Sequence, residues 1–241
     1  MRYTDLLMEA TTNRVTVFYG GRFQPMHKGH FALYNNLTQR FGADNVFIAS
    51  TFGQKQQAMH KAGDYTTDPF TFEEKASIAN EMFGIPTDKF VNTQPYRPEQ
   101  TKVGRSDAEY AIVLAFSEKD AGRLKSGGVL APLPDDTNRL QTPDENRVYF
   151  VTMPVNEGGM SATDFRQTMA SEKPEAEKKK VFTQFFGKMN DRVFKFIEQR
   201  FIERQSSYND LIFIFVVLSE HNCTFCARSC LASYDWTFLT I

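Results

Sequence analysis

Apolar residues along this chain keep two alternating rhythms. Short runs rich in β-branched and aromatic residues predict buried strands: Arg14–Tyr19 (RVTVFY), Val46–Thr51 (VFIAST), the weaker Lys89–Thr93 (KFVNT), Tyr110–Phe116 (YAIVLAF) and Arg147–Met153 (RVYFVTM). Between them the spacing changes to that of a helix. Phe31, Leu33, Tyr34, Leu37 and Phe41 share one face of a segment starting at Lys28. FTFEEKASIANEMFG reads as a second helix, with Thr71 as cap, Glu74 three residues later and Gly84 as stop. GGMSATDFRQTMA reads as a glycine loop opening a third. From Lys180 to Arg204, Phe182, Phe185, Met189, Val193, Phe196, Ile197 and Phe201 mark one long amphipathic helix. The polar stretches 53–70 and 120–146 carry no such period and read as loops, with His60 a surface residue of the first; Lys178 to Lys180, after Glu175 and Glu177, read as a solvated helix start.

Buried strands alternating with helices predict an α/β fold: a Rossmann-like, doubly wound parallel sheet of five strands with a C-terminal helical extension. The segments divide into a leader (1–13), the sheet domain (14–175), the C-terminal helix (176–206) and a tail (207–241). In such sheets ligands bind beyond the carboxyl ends of the strands. The two glycine pairs, Gly20-Gly21 and Gly158-Gly159, fall at that edge.

Composition narrows the partners. The 241 residues carry 28 Lys+Arg against 29 Asp+Glu, a net charge of −1, so nothing demands nucleic acid or a membrane surface. The longest apolar run, Leu211–Leu218, is far short of the roughly 20 residues of a spanning helix. No secretory signal is visible. All three cysteines lie at Cys223 to Cys230, which points to a reducing, cytoplasmic compartment rather than a disulfide scaffold.

The densest chemistry is GRFQPMHKGH, residues 21–30. Gly20 and Gly21 let the backbone turn sharply after a strand and approach a ligand; Pro25 stiffens the bend. His27 and His30 stand at a helix start, where free N–H groups and the dipole favour an anion, and their spacing puts both rings on one face. Gly29 adds no side chain between them. An isolated pair of this kind is more often a cap or surface feature, and a metal site would want a third ligand. Glycines, proline and preceding strand together favour a polyphosphate cradle with two imidazole donors.

Gly21, Phe23, Pro25, His27, Gly29 and His30 match G-x-F-x-P-x-H-x-G-H. In this the chain resembles the HxGH-motif nucleotidyltransferases, most closely their nicotinamide-mononucleotide adenylyltransferases. A second motif of that superfamily, I-S-S-T-x-x-R, is similar to MSATDFR: Ser161, Thr163 and Arg166 match, whereas Met160 and Ala162 depart from it. The resemblance implies adenylyl transfer from ATP to nicotinamide mononucleotide or a similar mononucleotide, as in NAD biosynthesis, by direct in-line attack and with release of pyrophosphate. Its alternatives are cytidylyl transfer from CTP to a phospho-alcohol or phospho-sugar, or a non-catalytic internal virion protein keeping the fold, the last opposed by the intact histidines, glycines and Arg166. It implies His27, His30 and Arg166 as catalytic groups on the phosphates. Gly20, Gly21, Arg22, Phe23, Gly29, Ser161 and Thr163 are implied around the nucleotide, with Asp120 either at its ribose or a plain loop acid. Mg²⁺ is expected to ride on the triphosphate, with no dedicated protein metal site.

The two ends stand apart. MRYTDLLMEA resembles the leaders of internal head proteins of large tailed phages, cut after an aliphatic-x-Glu triplet such as Leu7-Met8-Glu9; a plain helical turn explains it as well. A real leader would place the enzyme in a phage head. In the tail, His221, Cys223, Cys226 and Cys230 crowd too closely for a structural zinc site.

Overall fold

Val15–Gly20 forms β1, and every one of its residues is buried, as expected of a central strand covered on both faces. In this computed structural model the described residues are 14–65, 67–94, 103–118, 129–137, 140–154 and 160–201. The leader, Asp120, Gly158-Gly159 and the tail with its cysteines and His221 lie outside them.

The strands β2 (Val46–Ser50), β3 (Phe90–Asn92), β4 (Ala111–Ser117), β5 (Leu130–Pro132) and β6 (Val148–Met153) join β1 in one sheet of order β3-β2-β1-β4-β6-β5. All five pairings are parallel, with Val17 beside Val46 on one flank and beside Val113 on the other. The sheet therefore has six strands, one more than the pattern predicts. The addition, β5, sits at an edge inside the 120–146 segment expected to be a loop. Three residues ending in proline are too short to show a period, and proline is tolerated only at such an edge.

The helices are α1 (Lys28–Phe41), α2 (Gln54–Lys61), α3 (Phe72–Phe83), α4 (Ala162–Ala170), α5 (Glu175–Phe186) and α6 (191–201). α1 packs Leu33, Tyr34 and Leu37 against the sheet face that carries Val15, Val17 and Tyr19. Phe18, Ile112, Leu114 and Phe116 face the other way. α3 follows its sequence signals closely: Thr71 and Glu74 exchange backbone bonds of 3.0 and 3.3 Å, and Gly84 ends the helix at φ 72°.

Three other expectations are corrected. The supposed loop 53–70 contains α2, which buries no residue and so carries no apolar stripe to detect. The long helix expected over 180–204 is two helices, because Gly187 takes a left-handed φ of 86° after Phe186. Lys178, expected on a solvated helix start, is buried and pairs with Glu198 of α6 at 3.3 Å. These C-terminal helices share a core with the sheet domain: Phe182, Phe185, Phe194 and Ile197 pack with Phe70, Ile78, Met82 and Phe165.

Candidate active site

The bend after β1 is built from backbone and ring contacts. Gly21 N–H donates to the Ala49 carbonyl at 3.1 Å, tying the bend to the end of β2. A Cβ on Gly21 would meet the Phe23 ring at 2.6 Å, so only glycine fits under that ring. Phe23 itself has φ 48°, an uncommon value for a bulky residue, and is buried. It packs edge-on to Tyr19 at 5.2 Å and to His30 at 5.2 Å. Any contact of Phe23 with a nucleotide therefore falls to its backbone.

His27 is the N-cap of α1. Its Nδ1 accepts from the N–H groups of Gly29 at 3.0 Å and His30 at 3.3 Å. His30 Nδ1 in turn accepts from the His27 N–H at 3.4 Å. The rings stack with centroids 3.7 Å apart and an interplanar angle of 24°. Two phenylalanine edges bracket the stack, Phe23 on His30 and Phe185 of α5 on His27, the latter at 5.1 Å. Gly29 has its reason here: a Cβ would lie 3.0 Å from the His27 ring.

Burial, helped by the neighbouring Lys28 charge, pushes His27 down to about 4, and burial beside His27 holds His30 well below the ordinary imidazole value. Both rings are thus neutral at pH 7. With each Nδ1 accepting a backbone proton, each ring carries its own hydrogen on Nε2, free to donate to a ligand.

Arg166 reaches the same bend from α4. Its Nη1 donates to the Gln24 carbonyl at 2.9 Å and its Nη2 to the Thr163 hydroxyl at 3.2 Å. The side chain is buried, and its Nε has no hydrogen-bond partner. Burial, and then the nearby Arg22, lower its pKa, while Asp68 opposes them. Among the described residues no carboxylate forms an ion pair with it. A buried guanidinium with an unanswered donor costs free energy to keep, and Arg200 Nε is the other such atom among the described residues. Ser161 caps α4, its hydroxyl accepting from Asp164 N–H at 3.1 Å. The Arg22 side chain projects into solvent, 3.9 Å from Asp68.

Three contributors carry no signal in the sequence reading. Gln24 is buried and clamps the Phe70 backbone through both side-chain atoms, at 3.1 and 3.0 Å. Asp68 is the buried carboxylate that faces the cations. Lys75, on α3, is almost wholly enclosed and donates to Ser50 Oγ at 2.7 Å, the Thr51 carbonyl at 3.0 Å and the Arg22 carbonyl at 3.3 Å. His60, expected on a surface loop, is half-buried in α2, 2.6 Å from the Asp68 carbonyl and flanked by Phe52 and Tyr65.

Imidazoles, guanidinium groups and glycines from β1–α1 and α4 thus meet at the carboxyl edge of the sheet, next to the β1/β4 switch point. No curated protein matches the chain. A family model described as cytidylyltransferase-like matches residues 18–167, a span that runs from β1 through Arg166.

Proposed function

Since the chain belongs to the cytidylyltransferase-like family of nucleotidyltransferases, we propose that it transfers the adenylyl group of ATP to nicotinamide mononucleotide or a similar mononucleotide. An acceptor phosphate oxygen attacks the α-phosphorus in line. One P–O bond forms, the bond to the bridging oxygen breaks, and pyrophosphate leaves with the electron pair.

The observation that carries this reading is the stacked pair of neutral imidazoles. Their Nδ1 atoms are spent on backbone N–H groups, so their Nε2–H donors remain for the phosphates, beside an arginine with an unanswered Nε. Such donors are fixed before the reaction and lose nothing to reorganisation as charge grows on the leaving group. In this reading His27 and His30 donate to the bridging and leaving oxygens. Arg166 holds the β- or γ-phosphate, and Arg22 meets the tail of the triphosphate from its exposed position. Gly20, Gly21 and Gly29 keep the backbone close enough for its N–H groups to contribute. Ser161 and Thr163 add hydroxyls at the start of α4, and Asp120 is left for the ribose.

Mg²⁺ would neutralise charge on the triphosphate that brings it. In this reading its ligands are phosphate oxygens and water, which suit Mg²⁺ without a dedicated protein cage.

The test is a pyrophosphate-release panel. ATP and CTP are each paired with nicotinamide mononucleotide, nicotinate mononucleotide, phosphopantetheine and glycerol phosphate. Release is expected with ATP and a mononucleotide. Release only with CTP and glycerol phosphate would transfer the assignment to cytidylyl chemistry, and silence with every pair would remove the enzymatic reading.

A further inference from the structure

Two buried cations hold alternate carbonyls of the same bend. Arg166 of α4 takes the Gln24 carbonyl, and Lys75 of α3 takes the Arg22 carbonyl. Lys75 also takes the Ser50 hydroxyl and the Thr51 carbonyl, while Ser50 Oγ donates to the Arg22 carbonyl at 3.1 Å. Three acceptors satisfy the three donors of an ammonium. A neutral amine has only two donors, so deprotonation releases at least one of the three strands of this knot. None of the acceptors is a carboxylate. The ammonium charge is therefore left to act on whatever occupies the bend, whereas Lys178, the other buried lysine among the described residues, is paired with Glu198.

Resting on the triphosphate site just proposed, we infer that Lys75 is its positioning residue: the ammonium fixes the Arg22–Gln24 bend against the end of β2, and its protonation sets how firmly that bend grips an anion. The groups around it make the direction clear. Burial pushes Lys75 down to about 8, against the upward pull of Asp68, in the segment before α3, and of Glu73 on α3 itself. Glu74, next along α3, is taken up by its cap and by an ion pair with Arg200. From the other elements come the guanidinium groups of Arg22 and Arg166. His27 and His30 are already neutral at pH 7. A change in grip on the alkaline side of neutrality therefore belongs to Lys75.

The experiment measures binding of inorganic tripolyphosphate by calorimetry to the full chain, at about pH 7 and about pH 9.5, for wild type, Lys75→Met and Lys75→Arg. The ligand's own ionisation is common to all three proteins. Wild type should weaken about tenfold more than Lys75→Met across this interval, and Lys75→Arg should show no extra weakening. Equal pH responses in wild type and Lys75→Met overturn the inference. Should Lys75→Met not fold, wild type against Lys75→Arg decides in the same way. Should neither variant fold, ¹³Cε resonances of lysine in the wild type decide, since an affinity midpoint that does not follow the Lys75 titration overturns it. A wild type that binds no tripolyphosphate at either pH removes the phosphate site itself. Binding with the expected pH difference, but no pyrophosphate release in the panel, would sink the catalytic reading and leave Lys75 standing.

Discussion

Two arginines mark opposite ends of the sheet. Near the amino-terminal ends of the strands, Arg105 donates from Nη1 to the Val15 carbonyl at 2.6 Å, to Asn45 Oδ1 at 2.9 Å and to Thr16 Oγ1 at 3.2 Å, and from Nη2 to the Asp44 carbonyl at 2.8 Å. Its guanidinium also lies over the Tyr110 ring at 4.7 Å and the Phe47 ring at 5.4 Å. At the carboxyl ends, Arg166 keeps a buried Nε with nothing to bond. The same side chain is used once as a rivet, with both Nη atoms and its faces engaged, and once with a donor left over. The difference is one of completeness: Arg105 is tied to four acceptors, whereas Arg166 is tied to two and keeps a third donor unanswered.

The sharpest way to break that contrast is to remove each arginine and compare. Arg166→Gln, like His27→Ala or His30→Ala, should lower pyrophosphate release by about 10²–10³ while the protein stays folded. Arg105→Met should leave turnover per folded molecule unchanged. An Arg105 variant that loses turnover as heavily would end the distinction. Its cost should appear in denaturant melting instead, at about 1 kcal/mol, because the half-buried Val15 carbonyl and the exposed Asp44 carbonyl lose their donor.

Acid provides a further test of the carboxyl edge. His27 is lowered in the fold, so the stability it contributes is fully present above the unfolded value near 6.5 and is lost as pH falls through about 4. Amide exchange at the start of α1 should rise over that window, and His27→Asn, which keeps a cap but does not titrate there, should flatten the response. At the small end, Glu109→Ala removes the exposed pair with Arg14 and should change stability by no more than about 0.5 kcal/mol.

Particular residues show why some of this could be read from the chain and some could not. β1, α1 and α3 declare themselves because their signals are local: a β-branched run, an apolar face, a cap with its glutamate, a stopping glycine. His27 and His30 share a short stretch with the glycines that make room for them, so they too stand out. Lys75 does not. On paper it is one more charged residue in the first turn of an amphipathic helix, and its burial arises only when the bend of β1 and the end of β2 close over it. α2 has no buried face to betray it, and β5 is too short to have a rhythm. The break at Gly187 was hidden because the apolar spacing runs on across it. Phe185, read only as helix filler, becomes a wall of the imidazole stack because α5 folds back onto α1.

The register of β1 has a consequence for how the molecule comes into being. This first strand of the sheet sits at its centre, pairing Val17 with Val46 and also with Val113. Its second flank stays bare until the ribosome has released β4. The guanidinium that closes the bend arrives later still, because Arg166 and the Gln24 carbonyl it binds are 142 positions apart in sequence. During synthesis, then, this carboxyl edge is among the last parts of the sheet domain to be completed, and a nascent chain cut off before α4 has its histidines but not the arginine that ties down their bend.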